Sequence, residues 1–114
     1  MSAAIAITER SLAESLKDHT GLLVVDVWAD WRAPCRALAP TIEALATRYA
    51  GRAVVAKMVF DENPEATTQY GVRSIPTVLF FRDGELVDRI VGALPLPAFT
   101  LRVDQLLADD QRAA

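Results

Sequence analysis

The chain has 114 residues, of which 52% are hydrophobic, and a formal net charge of −3. A chain of this length and apolarity can bury a core without disulfides or metals, so residues 1–114 are expected to form one domain. The mild acidity argues against nucleic acid binding. No apolar run approaches the roughly 20 residues that cross a bilayer, which argues against a membrane protein.

Cys35 is the only cysteine of the chain. A lone cysteine argues against a secreted scaffold held by disulfides. The start, from Met1 to Ile5, lacks the charged region and long apolar region of a signal peptide. These features predict a monomeric cytoplasmic protein.

The first predicted elements are a short strand and a helix. Residues 3–8 form a mixed run that is typical of an edge strand. Thr8 is a favourable N-cap for the following helix, in which Leu12 and Leu16 share one face. Gly21 is expected to end this segment.

Two longer buried strands and a helix are predicted next. Residues 22–29 are apolar except for Asp26, as in a central strand that is buried on both faces. Pro34 suits a first helical turn, and Pro40 is expected to kink the helix that follows. A second buried strand is predicted over residues 53–60. The apolar face of the helix repeats at steps of three and four residues: Cys35, Leu38, Ile42, Leu45 and Tyr49.

The remaining segments predict a short helix, a hairpin and a last helix. Asn63-Pro64 is expected to cap the short helix, and Gly71 to stop it. Asp83-Gly84 is a hairpin turn signal between strands over residues 77–81 and 85–91. The apolar face of the last helix is marked by Leu96, Phe99, Val103 and Leu106. This order predicts an α/β sheet with helices on both faces, parallel at first and antiparallel at its end.

The segment from Trp28 to Arg36, WADWRAPCR, resembles the thioredoxin active site, in which Trp-Cys-Gly-Pro-Cys run in order. The resemblance covers nearly the whole chain and continues through residues 39–40, 61–64, 70–77 and 91–93. It implies the thioredoxin fold, a central mixed sheet of about five strands flanked by four helices. The family reduces protein disulfides and is recharged by a flavin-dependent thioredoxin reductase, and neither a cofactor nor a metal is expected in the chain itself.

Arg32 occupies the position of the family's attacking cysteine. A guanidinium is not a nucleophile near neutral pH, and a cation is unfavourable at the positive end of a helix. The replacement therefore predicts loss of dithiol turnover. Residual or partner-assisted thiol chemistry is the alternative.

Two interpretations of Cys35 remain open from the sequence. One is a small buried hydrophobic residue that starts the apolar face of its helix. The other is a reactive thiol whose thiolate is favoured by Arg32 and by the helix N-terminus, with Arg32 also holding a substrate carboxylate. The exposure of the sulfur distinguishes the two.

Asp26 and Lys57 match a family pair in which the aspartate relays protons for the resolving cysteine. Burial is expected to raise the pKa of Asp26, and Lys57 is expected to lower it again. A retained structural pair is the alternative interpretation. The only histidine, His19, is predicted at the surface without a catalytic role, and Glu9 and Glu43 are predicted on solvated faces.

Pro76 resembles the family's cis-proline beside the active cysteines, although a proline that leads a strand is also harmless there. In the family, the backbone of the residue matching Ile75 pairs with an extended substrate, a form of strand addition. Trp28 is expected to pack beneath the groove. An apolar rim around the groove is predicted from Trp31, Ala33, Pro34, Ile75, Gly92 and Ala93.

Two functions follow from these residues. The first is a thioredoxin-like protein with a degenerate redox site that binds extended peptides or partner proteins without dithiol turnover. The second is a protein-disulfide oxidoreductase that acts in cell redox homeostasis as a monothiol through Cys35. Catalytic roles are assigned to Cys35, Asp26, Lys57 and Pro76 by the resemblance.

Overall fold

A computed structural model describes residues 2–113 of the chain. Met1 lies outside the described residues, so the expectation about the start of the chain is not tested there. The strands are β1 (Ile5–Ile7), β2 (Leu22–Trp28), β3 (Ala53–Val59), β4 (Thr77–Arg82) and β5 (Glu85–Val91). The α-helices are α1 (Glu9–Asp18), α2 (Ala33–Arg48), α3 (Pro64–Gln69) and α4 (Leu96–Ala113).

The strands form one mixed sheet in the order β1-β3-β2-β4-β5. Strands β1 and β2 run parallel to β3, whereas β4 is antiparallel to β2 and β5 is antiparallel to β4. The α/β class and the five-stranded sheet with four helices are confirmed. Strand β1 is shorter than predicted, and it lies at the edge of the sheet. Within residues 2–113, no helix combines the length and apolarity that crossing a bilayer requires.

Helices cover both faces of the sheet. One buried cluster joins the sheet to α2 and α4 through residues such as Leu38, Ile42 and Phe99. The other joins it to α1 and α3 and includes Leu12 and Cys35. Cys35 thus belongs to a different cluster from Leu38, although the sequence predicts one continuous apolar face. Cys35 lies in the first turn of α2 and shares its cluster with Val27 and Ala29, near the end of β2, and with Ile75, just before β4.

The β4–β5 hairpin turns at Asp83 and Gly84, as predicted. Their φ angles are 52° and 85°, and two positive φ values are what a type I′ turn requires. A Cβ atom at Gly84 would collide with the carbonyl oxygen of Leu16. Glycine is therefore required there both by the backbone conformation and by the close approach of α1.

The caps of α1 and α3 differ in their chemistry. Thr8 caps α1 as predicted, because its Oγ1 accepts from the Ser11 N–H at 3.2 Å and the Ser11 Oγ accepts from the Thr8 N–H at 2.9 Å. Asn63 holds the N-cap position of α3 without a capping hydrogen bond from its side chain. Its Oδ1 instead accepts from the Glu9 N–H at 2.8 Å.

Glu9 supplies the contact that Asn63 does not. Its carboxylate accepts from the Ala66 N–H in the first turn of α3 at 2.9 Å. The prediction of a merely solvated Glu9 is therefore wrong, because the side chain satisfies a helix-end donor on a neighbouring element. Exposed carboxylates give no signal of such contacts in the local sequence.

Glu43 is a second corrected residue. Its carboxylate accepts from Ser2 Oγ at 2.7 Å and from the Ala3 N–H at 2.6 Å. The hydrogen bond from Ser2, followed by those from the Ala3 and Ala4 backbone, holds the pKa of Glu43 below its ordinary value despite some desolvation. The residue therefore fastens the segment before β1 to α2.

Glu9→Ala is expected to lower the free energy of unfolding by about 1 kcal/mol, the usual cost of losing a helix-capping acceptor. Chemical denaturation at neutral pH measures the effect. Glu14→Ala on the same helix is the matched control, because Glu14 makes only an exposed ion pair with Arg10 at 3.6 Å. Equal effects of the two substitutions would show that the contact with Ala66 does not stabilise α3.

Candidate functional site

Arg32 lies at the start of α2, in the N-cap position. Its backbone is extended, with φ −103° and ψ 120°, and its side chain makes no capping hydrogen bond. The Arg32 carbonyl accepts from the Cys35 N–H at 3.1 Å and from the Arg36 N–H at 3.2 Å. This geometry places an exposed guanidinium where the sequence resemblance puts the attacking thiol, with Cys35 in the turn that follows.

Cys35 is buried, with 2% of its surface exposed. Burial is the main cause that raises the pKa of its thiol, and the nearby Asp26 charge raises it further. A backbone hydrogen bond with Ala29 and the charges of Arg32 and Arg36 oppose this rise without cancelling it. Reactive thiols are partly exposed with a lowered pKa, so both observations favour the interpretation of Cys35 as a buried apolar residue.

Alkylation of Cys35 in the native protein at pH 7 is expected to be at least about tenfold slower than in the unfolded chain, because reagent access and the thiolate fraction are both reduced. Iodoacetamide labelling followed by mass spectrometry, with and without denaturant, measures the two rates. A native rate equal to the unfolded rate would instead support a reactive monothiol.

Asp26 lies at the middle of the sheet, where β2 pairs with Lys57 of β3 on one side and with Val78 of β4 on the other. The residue is 1% exposed, and its Oδ1 has no hydrogen-bond partner among the described residues. Burial raises the pKa of Asp26 to about 7, although the charge of Lys57 lowers it. Asp26 therefore exchanges a proton near neutral pH.

Lys57 faces the ring of Trp28, with Nζ 4.4 Å from the ring centroid. This distance allows a cation–π interaction, which holds the ammonium group beside the half-buried tryptophan. The same two residues line a cleft of about 400 Å³ together with residues of the first strand and of the segment after β3. The charge of Lys57 acts on Asp26, although no ion pair joins the two among the described side chains.

Trp31 directly precedes Arg32 and is an exposed aromatic residue, with 58% of its surface accessible. Its Nε1–H donates to the Asp61 carboxylate at 2.6 Å, and the Arg32 guanidinium lies 5.7 Å from its ring centroid. The importance of Asp61 for this ring was not predicted, because the two residues are 30 positions apart in the chain. The hydrogen bond fixes the direction of an exposed apolar surface.

The other predicted rim residues divide between surface and core. Ala33, Pro34 and Ala93 are exposed and Gly92 is half-buried. Ile75 as a whole is only 6% exposed, so it differs from the exposed residues of the predicted rim. It packs in the buried cluster that also contains Cys35.

The backbone around Ile75 and Pro76 leads into β4. The Ile75–Pro76 peptide bond is cis, and the Pro76 carbonyl accepts from the Gly92 N–H at 2.9 Å. Among the described residues, no backbone hydrogen bond of a loop or turn uses the N–H or the C=O of Ile75. The backbone of Ile75, just before β4, therefore has no hydrogen-bond partner within the described loops and turns.

The fold combines a mixed sheet of this strand order with a cysteine in the first turn of the helix that follows the central strand. The central strand also carries a buried aspartate. These features define the class of thiol–disulfide redox proteins, although this chain has only one cysteine. The chain belongs to the thioredoxin family, because the family model described as Thioredoxin matches residues 3–105. The resemblance predicted from the residues is therefore confirmed.

Relatives extend over most of the chain. A thioredoxin of Chlorobaculum thiosulfatiphilum is 43% identical over 98 residues, which cover 86% of this chain and 91% of that protein. Thioredoxin 1 of Synechococcus elongatus is 39% identical over 107 residues, or 94% of this chain and all of that protein. An M-type chloroplastic thioredoxin of Pisum sativum is 46% identical over 85 residues, which cover 75% of this chain and 49% of that protein. Membership of this family implies a redox context and protein partners.

Proposed function

We propose that this chain binds extended peptides or partner proteins beside the start of α2 and does not catalyse dithiol turnover. The observation that carries the proposal is the burial of Cys35 beneath an exposed Arg32. The exposed position at the helix start is thus held by a group that cannot attack sulfur. The surface around it keeps the exposed apolar residues that contact with a peptide requires.

The chemistry of turnover supports the second half of this proposal. Disulfide exchange starts when a thiolate attacks one sulfur of the substrate, forms a mixed disulfide and displaces the other sulfur as a thiolate. A second thiolate of the same chain then attacks the mixed disulfide, which releases the reduced substrate and leaves an internal disulfide. A chain whose only cysteine is Cys35 cannot complete the second step.

The binding half of the proposal rests on backbone and surface. An extended peptide can pair with the unused N–H and C=O of Ile75, as in other cases of strand addition. Trp31, Pro34 and Ala93 are exposed apolar residues that would offer contacts to such a peptide. Aromatic residues of this kind contribute much of the affinity in many interfaces.

The alternative of a monothiol oxidoreductase is opposed by the state of Cys35. Its burial limits access to a substrate disulfide, and the raised pKa of the thiol reduces the thiolate fraction at neutral pH. Arg32 does lower that pKa, as the alternative requires. Its effect is smaller than that of burial.

The proposed partners are proteins with flexible or unfolded segments, and the proposed compartment is the cytoplasm, where a lone cysteine stays reduced. A flavin-dependent thioredoxin reductase is included as a partner that can dock at the same surface. We expect no electron transfer from it to this chain, because such a reductase reduces an internal disulfide that one cysteine cannot form.

The affinity of the protein for a synthetic extended peptide, measured by titration, tests the proposal. A peptide of alternating apolar and polar residues is expected to bind, and Trp31→Ala is expected to weaken binding by about tenfold, as removal of an exposed aromatic anchor does. Leu101→Ala is the matched control, because Leu101 is an exposed apolar residue of α4 outside the site. Absence of binding, or equal losses in the two variants, would contradict the proposal.

A further inference from the structure

Arg32 and Arg36 form a pair of exposed cations at the start of α2. They lie one helical turn apart, since the Arg36 N–H donates to the Arg32 carbonyl at 3.2 Å. Both charges also lower the pKa of the Cys35 thiol. Two cations therefore lie one helical turn apart at the start of α2.

This pair is unfavourable for the isolated chain. Like charges four residues apart destabilise a helix, and cations near a helix N-terminus oppose its dipole. Among the described side chains, neither guanidinium lies within ion-pairing distance of a carboxylate. The Arg36 Nη1 donates to the Asp30 carbonyl at 2.6 Å, which orients the side chain without neutralising its charge.

The surroundings of the pair restrict what can neutralise it. The Trp31 ring lies 5.7 Å from the Arg32 guanidinium carbon and is mostly exposed. The nearby Asp61 carboxylate is occupied by the indole N–H of Trp31. A bound group that carries a carboxylate next to an apolar side chain would satisfy the arginines and the ring together.

We infer that Arg32 and Arg36 make the site selective for extended peptide segments that carry Glu or Asp beside an apolar residue. This inference rests on the proposed peptide-binding function and adds the chemical class of the peptide. The attraction of an acidic peptide depends on these two arginines, because the chain as a whole has a net charge of −3 and does not attract acidic partners. The position that lost the attacking thiol thereby becomes a specificity-determining position.

Two matched synthetic peptides test the inference. They share an alternating apolar and polar sequence and differ only in having Glu or Gln at the polar positions. The Glu peptide is expected to bind about fivefold more tightly at low salt, as an ion pair at a partly exposed site allows. Added salt should reduce the difference by screening.

Variants separate the arginine pair from general charge effects. Arg32→Gln and Arg36→Gln are each expected to reduce the preference for the Glu peptide while binding of the Gln peptide is retained. Arg48→Gln removes the same charge at the other end of α2, about 24 Å from Arg32 and about 18 Å from Arg36 at about 1.5 Å per residue, and should leave the preference unchanged. Circular dichroism confirms that each variant keeps the fold.

The possible results are distinct. Equal affinities for the Glu and Gln peptides would overturn the acidic selectivity and leave the proposed binding function intact. Binding of neither peptide would remove both proposals. Loss of the preference in Arg48→Gln as well would assign it to the overall charge of the chain, which also overturns the inference.

Discussion

Arg32→Cys is expected to give the protein catalytic turnover in the reduction of insulin by a small dithiol. The new thiol would stand at the start of α2, where the helix N-terminus favours a thiolate. Cys35 follows one turn later and can resolve the mixed disulfide. We expect a rate at least about tenfold above the dithiol background, since a complete exchange cycle becomes available within one chain.

Arg32→Ser is the matched control for this substitution. It removes the same guanidinium and supplies a hydroxyl, which does not exchange with disulfides, so its rate should equal the background. The double variant Arg32→Cys, Cys35→Ser should lose most of the gained turnover, because only the external dithiol can then resolve the mixed disulfide. An inactive but folded Arg32→Cys protein would show that other residues of the site also block catalysis.

Asp26→Ala is expected to raise the free energy of unfolding above neutral pH by roughly 2–4 kcal/mol. The pKa of Asp26 is raised from 3.8 to about 7 in the folded protein, mainly by burial. The folded state therefore binds more protons than the unfolded state between these values. The stability of the unmodified protein falls as the pH rises through this window, and the penalty is fully present above pH 7.

Denaturant unfolding from about pH 5 to about pH 9, a range that spans this pKa, measures the effect. The difference between Asp26→Ala and the unmodified protein should grow with pH and level off above the folded pKa. Asp109→Ala removes an exposed carboxylate of α4 and should leave the pH dependence unchanged. A stability of Asp26→Ala that is equal or lower at pH 9 would show that the aspartate and Lys57 form a net stabilising pair.

The elements of the fold were predictable because each carries its own signal. The apolar run of β2, the turn residues Asp83-Gly84 and the spacing along α4 depend on local backbone preferences and on burial of one face. The strand order was not determined by these signals, since pairing of β3 between β1 and β2 depends on contacts distant in sequence. The resemblance to the family implied a mixed sheet of about five strands and did not specify their order.

The sequence predicted which residue types form the site. It did not predict which of those residues are exposed and which are buried. Nothing in the local pattern indicates whether the Cys35 sulfur faces solvent, because the first turn of α2 is apolar on one side and charged on the other. Likewise, the Trp31–Asp61 and Glu9–Ala66 contacts join separate elements and have no periodicity. Such side chain contacts require the packed structure.

The insulin assay on the unmodified protein tests the central claim most directly. We expect its rate of disulfide reduction to equal the background of the dithiol alone and to remain there in Cys35→Ser, because the only cysteine is buried and lacks a partner thiol. A rate well above background that is lost in Cys35→Ser would contradict this account and make Cys35 a working nucleophile.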